Sequence, residues 1–228
     1  MAKLPAYDAR LMHLGEAGDL LAYAKEMSGL LESRWERHRA CIGPRCAQAG
    51  YSQEDFDCEY QVEEYQHAKY EVYLDGQLVV AAWSVLQGAV EHCASFLAEH
   101  LRIEKKLDYS RKPAELAWQH YYEQGIQVGW PLKDDCLEIA ALRKLRNDYA
   151  HSLFFEPYSV RGRLKKIAPD TAVDRSQIFY QVDAFVALKG QGVLACELVA
   201  RLVEMLKEHA IAQFPHDGVS LSFWARTR

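Results

Sequence analysis

From Leu78 to Leu101, Val79, Ala82, Leu86, Ala89, Val90, Cys93, Leu97 and Leu101 recur at steps of three and four residues, and this period constrains the fold more than any other feature of the chain. Such a stripe needs other helices to cover it. Asp19 to Arg39 carries the same period through Leu20, Leu21, Tyr23, Ala24, Met27, Leu30, Leu31 and Trp35. Ile42-Gly43-Pro44 reads as its stop. Ser52-Gln53-Glu54-Asp55 opens a capped helix toward Tyr70, and Asp75-Gly76 reads as the turn before the strongest helix.

Pro113 opens another helix through Trp118 and Tyr122 toward Gly125, and Trp130-Pro131 breaks it. A helix from about Lys133 then uses Leu137, Ala140, Ala141, Leu145 and Tyr149 as its inner stripe and ends by Glu156-Pro157. Tyr158 to Ile167 and Gln177 to Val182 alternate like a short hairpin around Ala168-Pro169-Asp170. From Phe185 to Phe214 the helical period returns, with Val193, Leu194, Leu198, Leu202, Met205 and Leu206 facing inward. The expected architecture is all-α: an antiparallel helical bundle with extra N-terminal helices and a short loop or β-hairpin insertion. Residues 1–76 form the N-terminal extension packed on the bundle, 77–214 the helical domain and 215–228 a tail.

Half of the 228 residues are hydrophobic, enough for a core without disulfide or metal support. The longest charge-free run, Gly76 to Val90, falls short of the roughly 20 apolar residues a membrane span needs. The start, Met1-Ala2-Lys3-Leu4-Pro5, lacks the pattern of a secretory signal, so the six cysteines read as reduced thiols in a cytoplasmic protein. The net charge of −5 hides an asymmetry: Arg143 to Lys166 holds seven basic and two acidic residues, net +5, leaving −10 on the remainder. A local positive patch on an acidic chain binds phosphate while the remainder suppresses indiscriminate binding.

That window contains Arg146-Asn147-Asp148-Tyr149-Ala150-His151. Cleaving RNA without a metal needs a base for the ribose 2′-hydroxyl, an acid for the departing 5′-oxygen, and fixed positive charge for the phosphate. Histidine suits the first two because its ordinary pKa lies near neutrality, and arginine suits the third through its planar fork. Arg146 and His151 supply these groups, with Asn147 able to orient either the histidine or the backbone. Five residues of α-helix turn the direction by about 140°, so reaching one phosphate from a single chain requires the helix to end or bend near His151.

Leu142-Arg143-Lys144-Leu145-Arg146-Asn147-Asp148-Tyr149-Ala150-His151-Ser152 resembles the signature of HEPN domains, an arginine with a neighbouring polar residue and a histidine four to six residues later. The helix with Trp83, Glu91 and Phe96 resembles the central helix of these domains, and Lys112 to Trp130 the stretch before the motif helix. The likeness covers about Leu78 to Glu208, with specificity in the motif alone. It leaves the segment before Gly76 and the insertion at 159–182 unaccounted for. Leu153 stands where one branch of the family carries a modifiable tyrosine.

The resemblance implies a helical bundle that forms a homodimer and joins two arginine–histidine pairs in one cleft, as a metal-independent endoribonuclease of toxin–antitoxin or antiphage defence systems. Arg146 would stabilise phosphate, His151 would act as base or acid, and Asn147 would assist. Arg143, Lys144 and Glu91 are secondary candidates for substrate binding. RNA, a second copy and an antitoxin or regulatory protein are the implied partners, with no cofactor and no membrane. The alternative is a non-catalytic HEPN module that binds RNA, nucleotide or a partner protein.

Three further readings stand beside this one. His38, Cys41, Cys46 and Cys58 form H-x2-C-x4-C-x11-C, a set able to hold zinc but lacking paired C-x2-C hooks, so no metal is assigned. Trp118, Tyr121 and Tyr122 can stack on bases, or fill a core as aromatic residues at helical spacing do. Cys93, Cys136 and Cys196 sit in apolar helical contexts and read as small core residues.

Overall fold

A computed structural model describes residues 15–108, 113–152 and 190–213, with backbone alone at 151 and 152. Its long elements are α1 (Glu16–Ala49), α2 (Gln53–His100), α3 (Ala114–His120), α4 (Cys136–Ser152) and α5 (Gln191–Ala212). No strand occurs among the described residues, so the chain there is all-α. The hairpin expected at 158–182 and the tail after 214 lie outside them. No helix among them is long and apolar enough to cross a membrane.

Helix α2 spans 48 residues, about 72 Å at 1.5 Å per residue, and the other long helices are arranged along it. Its buried residues begin at Ala68 and continue to Ala98. That half packs against α4 and α5, and α1 packs against both α2 and α5. Leu86, Val90 and Leu97 of α2 meet Trp118, Ile139, Leu202 and Leu206 in one apolar cluster. Ala17 and Ala24 join α1 to the same cluster.

Two punctuation marks in the sequence behave differently from their local meaning. Pro44 lies inside α1, which continues to Ala49 instead of stopping at Ile42-Gly43-Pro44. A proline costs its own N–H bond and crowds the carbonyl four residues back. Here both Pro44 and Ala40 are exposed, whereas Ile42 and Cys46 are buried. The proline thus spoils the solvent side while the packed side holds the helix together. The true stop is Gly50, at φ 70°, where its N–H donates to Ala47 O at 3.2 Å and the Tyr51 N–H to Cys46 O at 3.1 Å. Ser52 then starts α2 as read from the sequence: its Oγ accepts from Asp55 N at 3.2 Å and its N–H donates to Asp55 Oδ2 at 3.1 Å.

The second mark is Asp75-Gly76, which is no turn; α2 passes straight through it, and the expected domain boundary at 76/77 falls inside this helix. The Asp75 carboxylate accepts from Gly190 N at 3.1 Å and Gly192 N at 2.9 Å, capping the start of α5 from another helix. Gly190, the N-cap, has no side chain for the task and sits at φ 76°. A Cβ on Gly192 would lie 2.8 Å from both Asp75 Oδ1 and the Leu78 Cβ, so glycine is what lets α5 approach. The anionic cap also complements the positive end of the helix dipole.

Beyond α3, the helix widens into a π-turn over Tyr121–Gly125, closed by Ile126 N–H donating to Tyr121 O at 2.9 Å. Gly125 makes room for the Tyr121 ring, which a Cβ would meet at 2.6 Å. The Tyr122 hydroxyl donates to Val90 O at 3.2 Å, and Trp118 stacks on Trp83 at 5.4 Å. Trp118, Tyr121 and Tyr122 are therefore core residues, not base-stacking platforms.

Candidate functional site

The helix carrying the motif, α4, buries Ile139, Leu142, Leu145, Asp148 and Tyr149. Leu137, expected on that inner stripe, is 86% exposed, and Leu194 of α5 is 59% exposed. Three polar attachments hold α4 in place. Arg143 Nε donates to both oxygens of buried Glu115 on α3, at 3.0 and 2.8 Å. Arg201 of α5 bonds Asp135 at 2.8 Å and Glu138 at 2.6 Å, fixing the first turn of α4. The Tyr149 hydroxyl donates to Gln191 Oε1 at 3.1 Å, beside the Asp75 cap. Burial, with the Asp75 charge second, holds the Tyr149 hydroxyl well above the usual tyrosine range.

Arg146 and Asn147 sit on α4 between these attachments, both half-buried. Arg146 Nη1 donates to Asn147 Oδ1 at 2.9 Å, and Arg146 Nε is withdrawn from solvent. Arg146 forms no ion pair with another described residue, in contrast to Arg143. The amide of Asn147 orients the guanidinium without neutralising it. The candidate phosphate ligand Arg143 is engaged with Glu115, and Lys144 is exposed. Glu91 accepts from Gln87 Nε2 of its own helix at 2.9 Å and is half-buried.

The helical backbone runs through position 151 to Ser152, so the five-residue step from Arg146 lies in unbroken helix. The bend that would bring both positions to one side of a single chain is not present within the described residues. The motif thus divides by helix position: 148 and 149 on the buried side, 146 and 147 at its edge.

His38, Cys41, Cys46 and Cys58 do not assemble into a ligand set. His38 Nε2 faces Glu63 at 3.0 Å, Cys41 and Cys58 are exposed, and Cys46 is buried; all six cysteines are free thiols. Cys93 and Cys196 are core thiols, pushed up to about 12 and about 11, by burial in the first case and by burial and then Asp75 in the second. Among the described residues, the ligand-type atoms that do converge belong to Glu32, His67 and Glu71. Sequence reading missed this group because its members come from two helices, with no local spacing to reveal Glu32 beside the i, i+4 pair His67 and Glu71.

No family model, no curated protein and no solved structure matches this chain.

Proposed function

We propose that this protein is a metal-independent endoribonuclease of HEPN type, a toxin or defence effector whose cleavage site is shared between two copies of the chain. The observation that carries the reading is Arg146: a half-buried guanidinium, oriented by Asn147 and paired with no carboxylate among the described residues. A fixed cation of this kind suits charge developing on a phosphate. The rigid seating of α4 by Glu115, Arg201 and Gln191 supports it, because a site 1 Å out of place loses much of its rate.

A second copy has a mechanical reason. Positions 146 and 151 diverge by about 140° around an intact helix, so one chain presents them in different directions. Two chains related by a twofold axis can bring the arginine of one toward the histidine of the other, and two histidines divide the acid and base roles. His151 would take the 2′-hydroxyl proton on one side, its counterpart would protonate the 5′-oxygen, and the products would carry 2′,3′-cyclic phosphate and 5′-hydroxyl ends.

The test is incubation of the purified full chain with single-stranded RNA in EDTA, beside Arg146→Ala and His151→Ala. Wild type is expected to cut, leaving cyclic phosphate ends, and each variant to lose at least about 100-fold. An unchanged rate in His151→Ala would sink the nuclease. A folded dimer that binds RNA or nucleotide without cutting would leave the non-catalytic HEPN module as the reading.

A further inference from the structure

The first part of α2 and the last part of α1 form an antiparallel hairpin whose inner surface is unlike the core. Trp35 is its hub, with the rings of His67, His38 and Tyr60 at 4.8, 6.0 and 6.3 Å. The His67 ring lies flat on Trp35, with 6° between planes, which fixes the imidazole's orientation. Its Nε2 is withdrawn from solvent and lies 3.4 Å from Glu71 Oε1, one helical turn along α2. Glu32, one turn before Trp35 on α1, closes the group: one ligand-type atom from each of Glu32, His67 and Glu71 lies within 4.8 Å of the others.

We propose that Glu32, His67 and Glu71 form a binding site for a divalent transition metal, of which zinc is the best-suited representative, clamping α1 to α2. The donor set is one imidazole nitrogen and two carboxylates, the borderline mixture that zinc accepts with three protein ligands and one open position. Bonds of about 2.0–2.2 Å in a tetrahedron place neighbouring ligand atoms about 3.3–3.6 Å apart. The His67–Glu71 separation of 3.4 Å already meets that requirement. Glutamate has the rotatable bonds to draw in the remaining distances while both helices stay where they are. Two carboxylates and a neutral imidazole match the charge of a divalent ion held at this half-buried interface.

His67 also lines a groove of about 260 Å³ with Arg34, Trp35, His38, Glu63 and Tyr70. The clamp belongs to the hairpin, while α4 packs on α2 and is fixed by α3 and α5, so RNA cleavage in EDTA and metal binding are separate properties.

The test uses the full chain with Cys41→Ser and Cys58→Ser, which removes the exposed thiols as competing ligands. After dialysis against EDTA, zinc is titrated by calorimetry, and cobalt(II) is added separately to read the ligand type from its spectrum. One equivalent per chain is expected, with a weak visible band, no thiolate charge-transfer band, and a melting temperature raised by zinc. Glu71→Gln and Glu32→Gln, which preserve shape, should each weaken binding by about 100-fold or more and abolish the thermal shift while circular dichroism stays unchanged. Binding below a tenth of an equivalent, equal binding by the two glutamine variants, or a thiolate band would each overturn the proposal.

Discussion

From Ala68 to Ala98, α2 is a core helix; from Gln53 to His67 the same helix has no buried residue at all. The first region is held by aliphatic burial around Leu86, Val90 and Leu97. The second is held by the Trp35 ring cluster and by Arg45 reaching Glu59 at 2.7 Å and Glu63 at 3.0 Å. Lys69, at the boundary, sits 4.2 Å over the Tyr65 ring. One continuous backbone thus runs through two environments. In the core, buried area makes every methyl group count. In the hairpin, half-exposed polar groups and rings set geometry while contributing little stability each.

The contrast breaks most sharply by truncating one residue on each side. Leu86→Ala, at a fully buried site, should cost about 2–5 kcal/mol in denaturant unfolding. Leu30→Ala, on exposed α1 surface, should stay within about 0.5 kcal/mol. Equal effects would mean that the hairpin is covered by something else.

The Asp75 cap comes next. Gly192→Ala forces a Cβ against Asp75 and Leu78 and should cost about 1–3 kcal/mol. Asp75→Ala leaves the Gly190 and Gly192 N–H groups without that acceptor and should cost about the same. The double variant should fall short of the sum, because both changes damage one contact.

Tyr149 gives a smaller effect with a definite sign. Its folded-state pKa is raised by burial, so the native state keeps the proton that the unfolded chain loses above about pH 10. Stability is therefore full below that pH and declines as pH rises toward the raised native value. Tyr149→Phe should flatten this alkaline slope in melts between pH 9 and about 11, and a slope unchanged in the variant would place its origin elsewhere.

The smallest effect belongs to the hairpin. Glu63 is held below the usual carboxylate range, chiefly by the Arg45 hydrogen bond and next by His38. That contribution is present above the ordinary glutamate value near pH 4.3 and is lost as pH falls through the lowered native one. Amide protection, taken relative to the intrinsic exchange rate, should then fall across 45–63 before the core opens, and Glu63→Gln should weaken the pH dependence.

Much of this fold was legible in the residues because it rests on local signals. Period and capping box located α2's start at Ser52, its apolar face and the helices carrying Tyr149 and Leu202. Leu137 and Leu194 were misplaced because they lie off the buried lines of their helices, which run through Ile139 and Leu142 and through Ala195 and Val199, and period alone cannot say which line packs inward. The motif around Arg146 was visible as residue types, but its division into a buried side and a half-buried edge depends on which face α2 covers. The Glu32, His67 and Glu71 group was invisible, since helix pairing alone brings Glu32 to the other two.

Sequence by itself determined that this chain is helical, where its apolar stripes fall, and that an arginine, an asparagine and a histidine follow one another on α4. Tertiary structure alone decided that Pro44 stays inside a helix, that Asp75-Gly76 caps a distant helix instead of turning its own, and that Arg143 is bound to Glu115 while Arg146 is not. The reason is one of range. Propensity and capping act over a few residues, whereas the partner of a carboxylate or a glycine's missing Cβ is chosen by whatever segment packing brings within about 3 Å.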